Sequence, residues 1–436
     1  MRQIIGNKSL KVSPKNLIFL ILLGAFFVRL GFVLVLNPTG YYFSDTRHYD
    51  AAATRLISGD GFGEKYNRSP GYPVFMALVY VIFGHNFTVM RIVEIFVSLL
   101  IIVFIYLCAR LIFDQRIALV SSALAALHPH FILIVGILYP TNLFTLLLAV
   151  LTFAVLLYEK TSQVGFLALG GLIAGLATLT TPAIIFFIPF LFLWIVLKPG
   201  RGIVTKLISL VVFTTVLTAV LTPWTLRNYR IYDRLTFVRP VPHTVFPDLD
   251  NLENQQNKIN DGFSDTTDYL RENPQGSEKD NLDHIIGNYL KHPLSSLKYL
   301  FQEMRHFWAP YPDRLDTQSS RYQQGVQQED QRMMSTGGSL WKLAKIASMS
   351  VMIPLFLLAI LGVFTSQFWR RGPLLLVCLL VSFSVGYSLI VAEVRYRIPV
   401  EPYLLMFVAA GLLFIFDWIR KKDRNQSILH TLRVTL

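Results

Sequence analysis

"PGYPVFMALVYVIFG", residues 70–84, decides how the chain is threaded. The run is apolar, but its 15 residues fall short of the ~17–25 that a helix needs to cross a bilayer. Counting it as a span or not changes the side of every later loop. About ten other runs reach or approach spanning length: roughly 16–36, 88–112, 117–136, 138–158, 164–181, 182–197, 206–226, 341–364, 373–392 and 403–419. With a cytoplasmic N-terminus, these ten put segments 1–15, 113–116, 159–163, 198–205, 365–372 and 420–436 on the cytoplasmic side, and nearly all carry or flank Lys and Arg. That is the positive-inside pattern. A further span at 70–84 would destroy it, so the run reads as an interfacial or re-entrant helix in a long outer loop.

Composition agrees. The 436 residues are 53% hydrophobic and 15% charged, against about 25% charged in soluble domains. The expected class is an all-α polytopic membrane protein. The net charge of +13 does not point to nucleic acid, because its clusters ("KSLKVSPK", "KPGRG", "WRRG", "RKKDR") abut apolar runs. Cys108 and Cys378 lie inside apolar runs, which excludes a disulfide framework or a cysteine metal site. The first run is long for a signal peptide and ends without a small-residue cleavage site, so it reads as a retained helix.

Three regions follow. Residues 1–226 form an N-terminal transmembrane module whose first outer loop is 37–87. Residues 227–340 form an outer loop or small subdomain; its stretch "HIIGNYLKHPLSSLKYLFQEMRHFWAPYP" has apolar residues at helical spacing and aromatics suited to the headgroup level. Residues 341–436 hold the last spans and a basic cytoplasmic tail.

The charges that demand explanation gather on the outer face. They are Asp45 and Asp50 beside Tyr49, in "YYFSDTRHYDAAATRLISGDGF"; Arg68; Arg227 and Asn228; and Glu393, Arg395, Arg397 and Glu401 in "AEVRYRIPVEP". Carboxylates and arginines together at a membrane surface suit an anionic, lipid-linked substrate. A polyprenyl-phosphate sugar has the right chemistry. The acceptor hydroxyl needs a carboxylate as general base, and the departing lipid phosphate needs arginines. No nucleotide is required, and no Gly-rich phosphate loop is found.

At these positions the sequence resembles a family. "SDTRHYDAAATRLISGDGF" followed by "RSPGYPVFMALVYVIFG" looks like the first outer loop of the GT-C membrane glycosyltransferases, which include protein O-mannosyltransferases and lipid A aminoarabinose transferases. "GLIAGLATLTTPA", "PWTLRNYRIYDRLTFV", "NYLKHPLSSLKYLFQEMRHFWAP" and "RYRIPVEPYLLMFVAAG" resemble later segments of that family, in its order. The resemblance implies a GT-C-type helical bundle of about ten transmembrane helices with interfacial helices in the first outer loop. It implies an inverting transferase at the periplasmic face of a bacterial inner membrane, with both termini cytoplasmic. The donor would be a polyprenyl-phosphate sugar and the acceptor a hydroxyl of a lipid, glycan or protein. Asp45 matches the family's catalytic acid position and would be the base. Tyr49, Asp50, Arg68, Arg227, Asn228, Arg395 and Arg397 would contact substrate. The sequence departs from the family where a second acidic residue would follow Asp45 (Thr46), where a basic residue would precede Pro182 (Thr181), and near "YPTN" (Thr141, Asn142). No cofactor is fixed by the sequence; two nearby carboxylates are compatible with a divalent cation.

Blander readings stand beside these. Ser44 or Asp45 suits a helix N-cap. Arg227 and Asn228 suit an interfacial anchor. Arg395 and Arg397 would share one side of an extended segment, or pair with Glu393 and Glu401. His128 and His130 read as packed histidines at a bend, and Glu94 as a paired residue, with Arg91 at i−3 in reach. Two rival functions remain open: a polymerase or ligase moving an oligosaccharide from lipid diphosphate, which needs no first-loop acid, and a lipid-linked sugar transporter, which would favour intramembrane charge and an internal repeat.

Overall fold

The computed structural model describes residues 13–35, 44–63, 66–232, 287, 290–291, 293–310, 338–389 and 392–434. Among these there is no strand. The helices are α1 (Pro14–Val35), α2 (Ser44–Ile57), α3 (Gly71–Phe83), α4 (Phe87–Ile112), α5 (Gln115–Leu127), α6 (Pro129–Leu133), α7 (Pro140–Thr161), α8 (Gly165–Thr180), α9 (Ile188–Val196), α10 (Ile203–Tyr232), α11 (Pro293–Phe307), α12 (Gly338–Thr365), α13 (Arg371–Ser388), α14 (Val394–Arg397) and α15 (Glu401–Val434). Most of the 227–340 region lies outside the described residues.

Local chemistry sets the boundaries. Asn86 caps α4 by accepting from the Thr88 and Val89 amides, and Asp114 caps α5 by accepting from those of Arg116 and Ile117. Pro129 and Pro140 open α6 and α7, where a missing N–H costs nothing. α3 ends at Gly84, whose φ of 77° places it in the left-handed half of backbone space.

The chain is a multi-pass membrane protein. Seven of the described helices are long and apolar enough to cross a membrane. An eighth candidate is the pair 115–127 and 129–136, bent by 55°. The expected span 117–136 is therefore a broken helix, because the Pro129 ring stops α5 at His128. The expected spans 164–181 and 182–197 appear as shorter apolar elements, α8 and a 3₁₀ turn leading into α9. α3 has 13 residues and is about 20 Å long at 1.5 Å per residue, too short for a ~30 Å hydrocarbon core. It packs on α2 and leaves Val74, Leu78, Val81 and Ile82 exposed in one stripe.

The two ends of the bundle differ. At one end Arg116 forks onto Asp417, with both bonds 2.9 Å. There too Arg371 pairs with Glu159, and the Lys198 ammonium donates to the Tyr158 and Glu159 carbonyls. Burial pushes Lys198 below its ordinary pKa. The other end carries α2, α3, the α5–α6 break, α11 and α14. α11 buries Ser296, Tyr299, Glu303 and Phe307 and leaves Leu294, Leu297 and Phe301 exposed. Large apolar side chains on the outer side suit a helix lying on lipid.

Apolar burial does not drive helices together in lipid, so close backbone approach matters more. α12 and α15 meet at Gly362 and Gly411, where a Cβ on Gly362 would run into the Phe407 carbonyl. Gly362→Leu should lower stability by about 1–3 kcal/mol through overpacking, read as a lower midpoint in thermal unfolding of the detergent-solubilised protein. An unchanged midpoint would mean that the two helices are not held at this crossing.

Candidate active site at the α2–α3 end

The site is assembled around one ring. Tyr49, buried on α2, stands edge-on to Tyr72 of α3 (5.6 Å between centroids) and to Tyr139 (5.9 Å). The Arg68 guanidinium lies 5.9 Å from the Tyr49 centroid. Arg395 lies 5.9 Å from Tyr139 and 5.1 Å from Tyr396. Tyr396 in turn stacks on Tyr387 at 4.5 Å, nearly parallel. The first loop, the 137–139 turn and the α14 segment thus meet, though they lie far apart in sequence. The start of α2 is pinned there by Thr46, whose hydroxyl donates to the Leu138 carbonyl at 3.2 Å. Asp45 occupies the first turn of α2, four residues before Tyr49 and so on the same helix face; its side chain lies outside the described residues.

The remaining candidates fall into other surroundings. Asp50 Oδ1 is 2.8 Å from both the Tyr80 hydroxyl and His85 Nε2, and clamps α2 to the end of α3. Arg227 donates to the carbonyls of Gly63 and Tyr66 and to Asn228 Oδ1, and stacks on Trp224 at 4.5 Å. It fastens the end of α10 to the first loop; Asn228 beneath it is buried. Gly71 sits against Thr180 Oγ1, where a Cβ would come within 2.5 Å, so α3 begins directly on the "LTTPA" end of α8.

Arg395 and Arg397 do not share a side. Residues 394–397 form a helical turn instead of an extended segment, and two residues on a helix diverge by ~200°. Arg395 pairs with Glu393 at 2.7 Å. Arg397 turns inward and is fully buried; it donates to the Phe307 and Ala309 carbonyls (2.8 Å each) and to Glu401 Oε1 (3.0 Å). A second clamp holds the same segment: the Ala392 amide donates to Glu303 Oε2 of α11 at 2.7 Å.

A buried carboxylate supports the site from below. Glu94 accepts from the Tyr72 hydroxyl (2.7 Å) and from Asn142 Nδ2 (2.6 Å), which also bonds the Glu94 carbonyl. These partners differ from the expected Arg91, whose Nε donates to the Gly136 carbonyl. Asn142 stands where the resemblance leads one to expect an acidic residue. Sequence reasoning also passed over Arg29, although one arginine in a first span is the signal of a buried polar contact.

Residues 67–225 match the model of a family described as dolichyl-phosphate-mannose-protein mannosyltransferase. The archaeal oligosaccharyltransferase AglB from Archaeoglobus fulgidus, solved with an inhibitory peptide and a dolichol-phosphate, superposes over 95% of this chain and 52% of its own, with a TM-score of 0.56 and 14% identity. The apo form of the Archaeoglobus fulgidus oligosaccharyltransferase superposes over 96% of this chain and 52% of its own, at 0.55 and 14%. The fold is that of the GT-C membrane glycosyltransferases. ArnT from Cupriavidus metallidurans bound to undecaprenyl phosphate is also similar, with a TM-score of 0.48 and 14% identity over 91% of this chain and 59% of its own. The chain spans about half the length of the oligosaccharyltransferases it matches. No curated protein matches it in sequence.

Removing the carboxylate from beneath the Tyr49 cluster should be costly. Glu94→Ala strands the Tyr72 hydroxyl and the Asn142 amide inside the bundle, an expected loss of about 1–3 kcal/mol. Glu94→Gln, which keeps an acceptor, should lose clearly less; equal melting temperatures for the two variants would argue against the network.

Proposed function

We propose that the chain is an inverting glycosyltransferase. It moves a sugar from a polyprenyl-phosphate donor to a hydroxyl of a lipid, glycan or protein acceptor, at the periplasmic face of a bacterial inner membrane. The observation that carries this reading is the convergence at Tyr49. The first turn of α2, Arg68 and Arg395 meet through aromatic contacts at one end of a GT-C bundle. The matched mannosyltransferase family and the lipid-phosphate ligand of the archaeal relative support the same class of donor.

The chemistry divides among the residues. Asp45 takes the proton of the acceptor hydroxyl as it attacks the anomeric carbon, which inverts that centre and releases the lipid phosphate. Arg395 and Arg68 face the growing phosphate charge, and their seats on Tyr139, Tyr396 and Tyr49 pre-orient them. Arg227 and Asn228 shape the wall of the first loop. Arg397 acts from inside, by holding α14 to α11. A divalent cation between the first-loop carboxylates does not suit Asp50, whose Oδ1 already sits against Tyr80 and His85.

Comparing envelope lipids and glycans by mass spectrometry, with and without the gene, should identify the sugar and its acceptor. Identical profiles would overturn the transferase reading. With the donor in hand, Asp45→Asn should fold normally and lose at least ~100-fold in kcat. Full turnover by that variant would sink the assignment of the base. Arg395→Ala should cost about 2 kcal/mol of transition-state binding, roughly 30-fold in kcat/KM.

A further inference from the structure

One cluster at the α5–α6 break takes no part in the proposed transfer. His128 ends α5, His130 lies in α6, and Glu401 opens α15. One ligand atom from each can be chosen so that all lie within 4.8 Å of one another. His130 Nδ1 is 2.8 Å from Glu401 Oε1 and 2.9 Å from Oε2, and His128 Nδ1 is 3.7 Å from Oε2. Both ring nitrogens of His128 are buried with no hydrogen-bond partner. A buried imidazole with two unsatisfied nitrogens costs free energy. Among the described residues the Glu401 carboxylate faces it at 3.7 Å, beyond hydrogen-bond reach, and a bound cation would satisfy both groups.

We propose that His128, His130 and Glu401 bind one zinc-class divalent transition-metal ion, clamping the broken span to the start of α15. The donor set is two imidazoles and a carboxylate, the type that holds zinc with a fourth position left open. Tetrahedral ligands at ~2.0–2.1 Å from the ion are about 3.3 Å apart. At Glu401 Oε2 the separations to His130 Nδ1 and His128 Nδ1 are 2.9 and 3.7 Å, which straddle that value, and the three donor atoms lie within 4.8 Å of one another. Outer contacts are in place. Arg397 Nε donates to Glu401 Oε1 and fixes the carboxylate, leaving Oε2 toward His128. The neighbouring Arg29 is solvated by Ser98 Oγ and the carbonyls of Ala25, Ala125 and Ala126, which tempers its repulsion of a cation. His130 is partly exposed and gives a way in. The site's donors are other residues than those assigned to transfer, and the site does not depend on the transferase reading.

The test uses the full chain, purified through a tag without histidine, stripped with a chelator and titrated with Zn²⁺ against a chromophoric competitor. Wild type should take up one zinc per chain, and His128→Ala and His130→Ala should each bind at least about tenfold more weakly. His128→Ala removes no hydrogen bond and should fold. X-ray absorption of zinc-loaded wild type, which needs no variant, should show two imidazoles and a carboxylate. No zinc uptake by wild type would overturn the proposal. So would a zinc that both alanine variants keep at unchanged affinity, or a scattering shell without two imidazoles.

Discussion

A backbone carbonyl released by a broken helix inside a membrane has no water to turn to, and this constraint organises the whole structure. The bundle answers it with cations. Arg29 donates to the carbonyls of Ala125 and Ala126 at the end of α5, and Arg91 to that of Gly136 after α6. Arg397 does the same for Phe307 and Ala309 after α11, Arg371 for Trp194 and Leu197 after α9, and Lys198 for Tyr158 and Glu159 near the end of α7. Each cation sits where helix dipoles place partial negative charge. A good share of the chain's basic excess is therefore spent on holding short and broken helices in place.

That use of charge explains what could be read from the sequence. The length of 70–84, its proline opening and its glycine ending identify α3 without any tertiary information, because punctuation and span length are local properties. The helical spacing of apolar residues and aromatics in α11 is visible in the same way. The break at His128 was written in Pro129, yet the apolar run around it reads as one span when hydropathy is averaged. α8 and α9 fail as full spans for a similar reason: composition marks a segment as apolar but does not say how deep it reaches.

Part of the outer-face grouping of the candidate residues was legible, their arrangement less so. Arg68, Arg395 and the start of α2 are drawn together as the outer-face grouping suggests. The aromatic hub that does it, Tyr49 with Tyr72 and Tyr139, has no local signature, since tyrosines at an interface are common. Arg395 and Arg397 were separated by a backbone choice. An extended strand would have put them side by side; the helical turn sends one to the tyrosines and the other to the carbonyls of α11. Glu94 found Tyr72 and Asn142, partners on other helices that i−3 spacing could not reveal.

The same segment carries the candidate-site Arg395 beside charges that serve structure. Arg395 can hold a guanidinium toward Tyr139 only if residues 392–401 keep their course, and three contacts fix that course: Ala392 to Glu303, Arg397 to Phe307 and Ala309, and Glu401 to His130. Two of the three reach α11, whose exposed Leu294, Leu297 and Phe301 suit contact with lipid. The third reaches the α5–α6 break, which Arg29 ties to α1 and α4. The position of Arg395 thus depends on an interfacial helix on one side and on a repaired break in the membrane on the other.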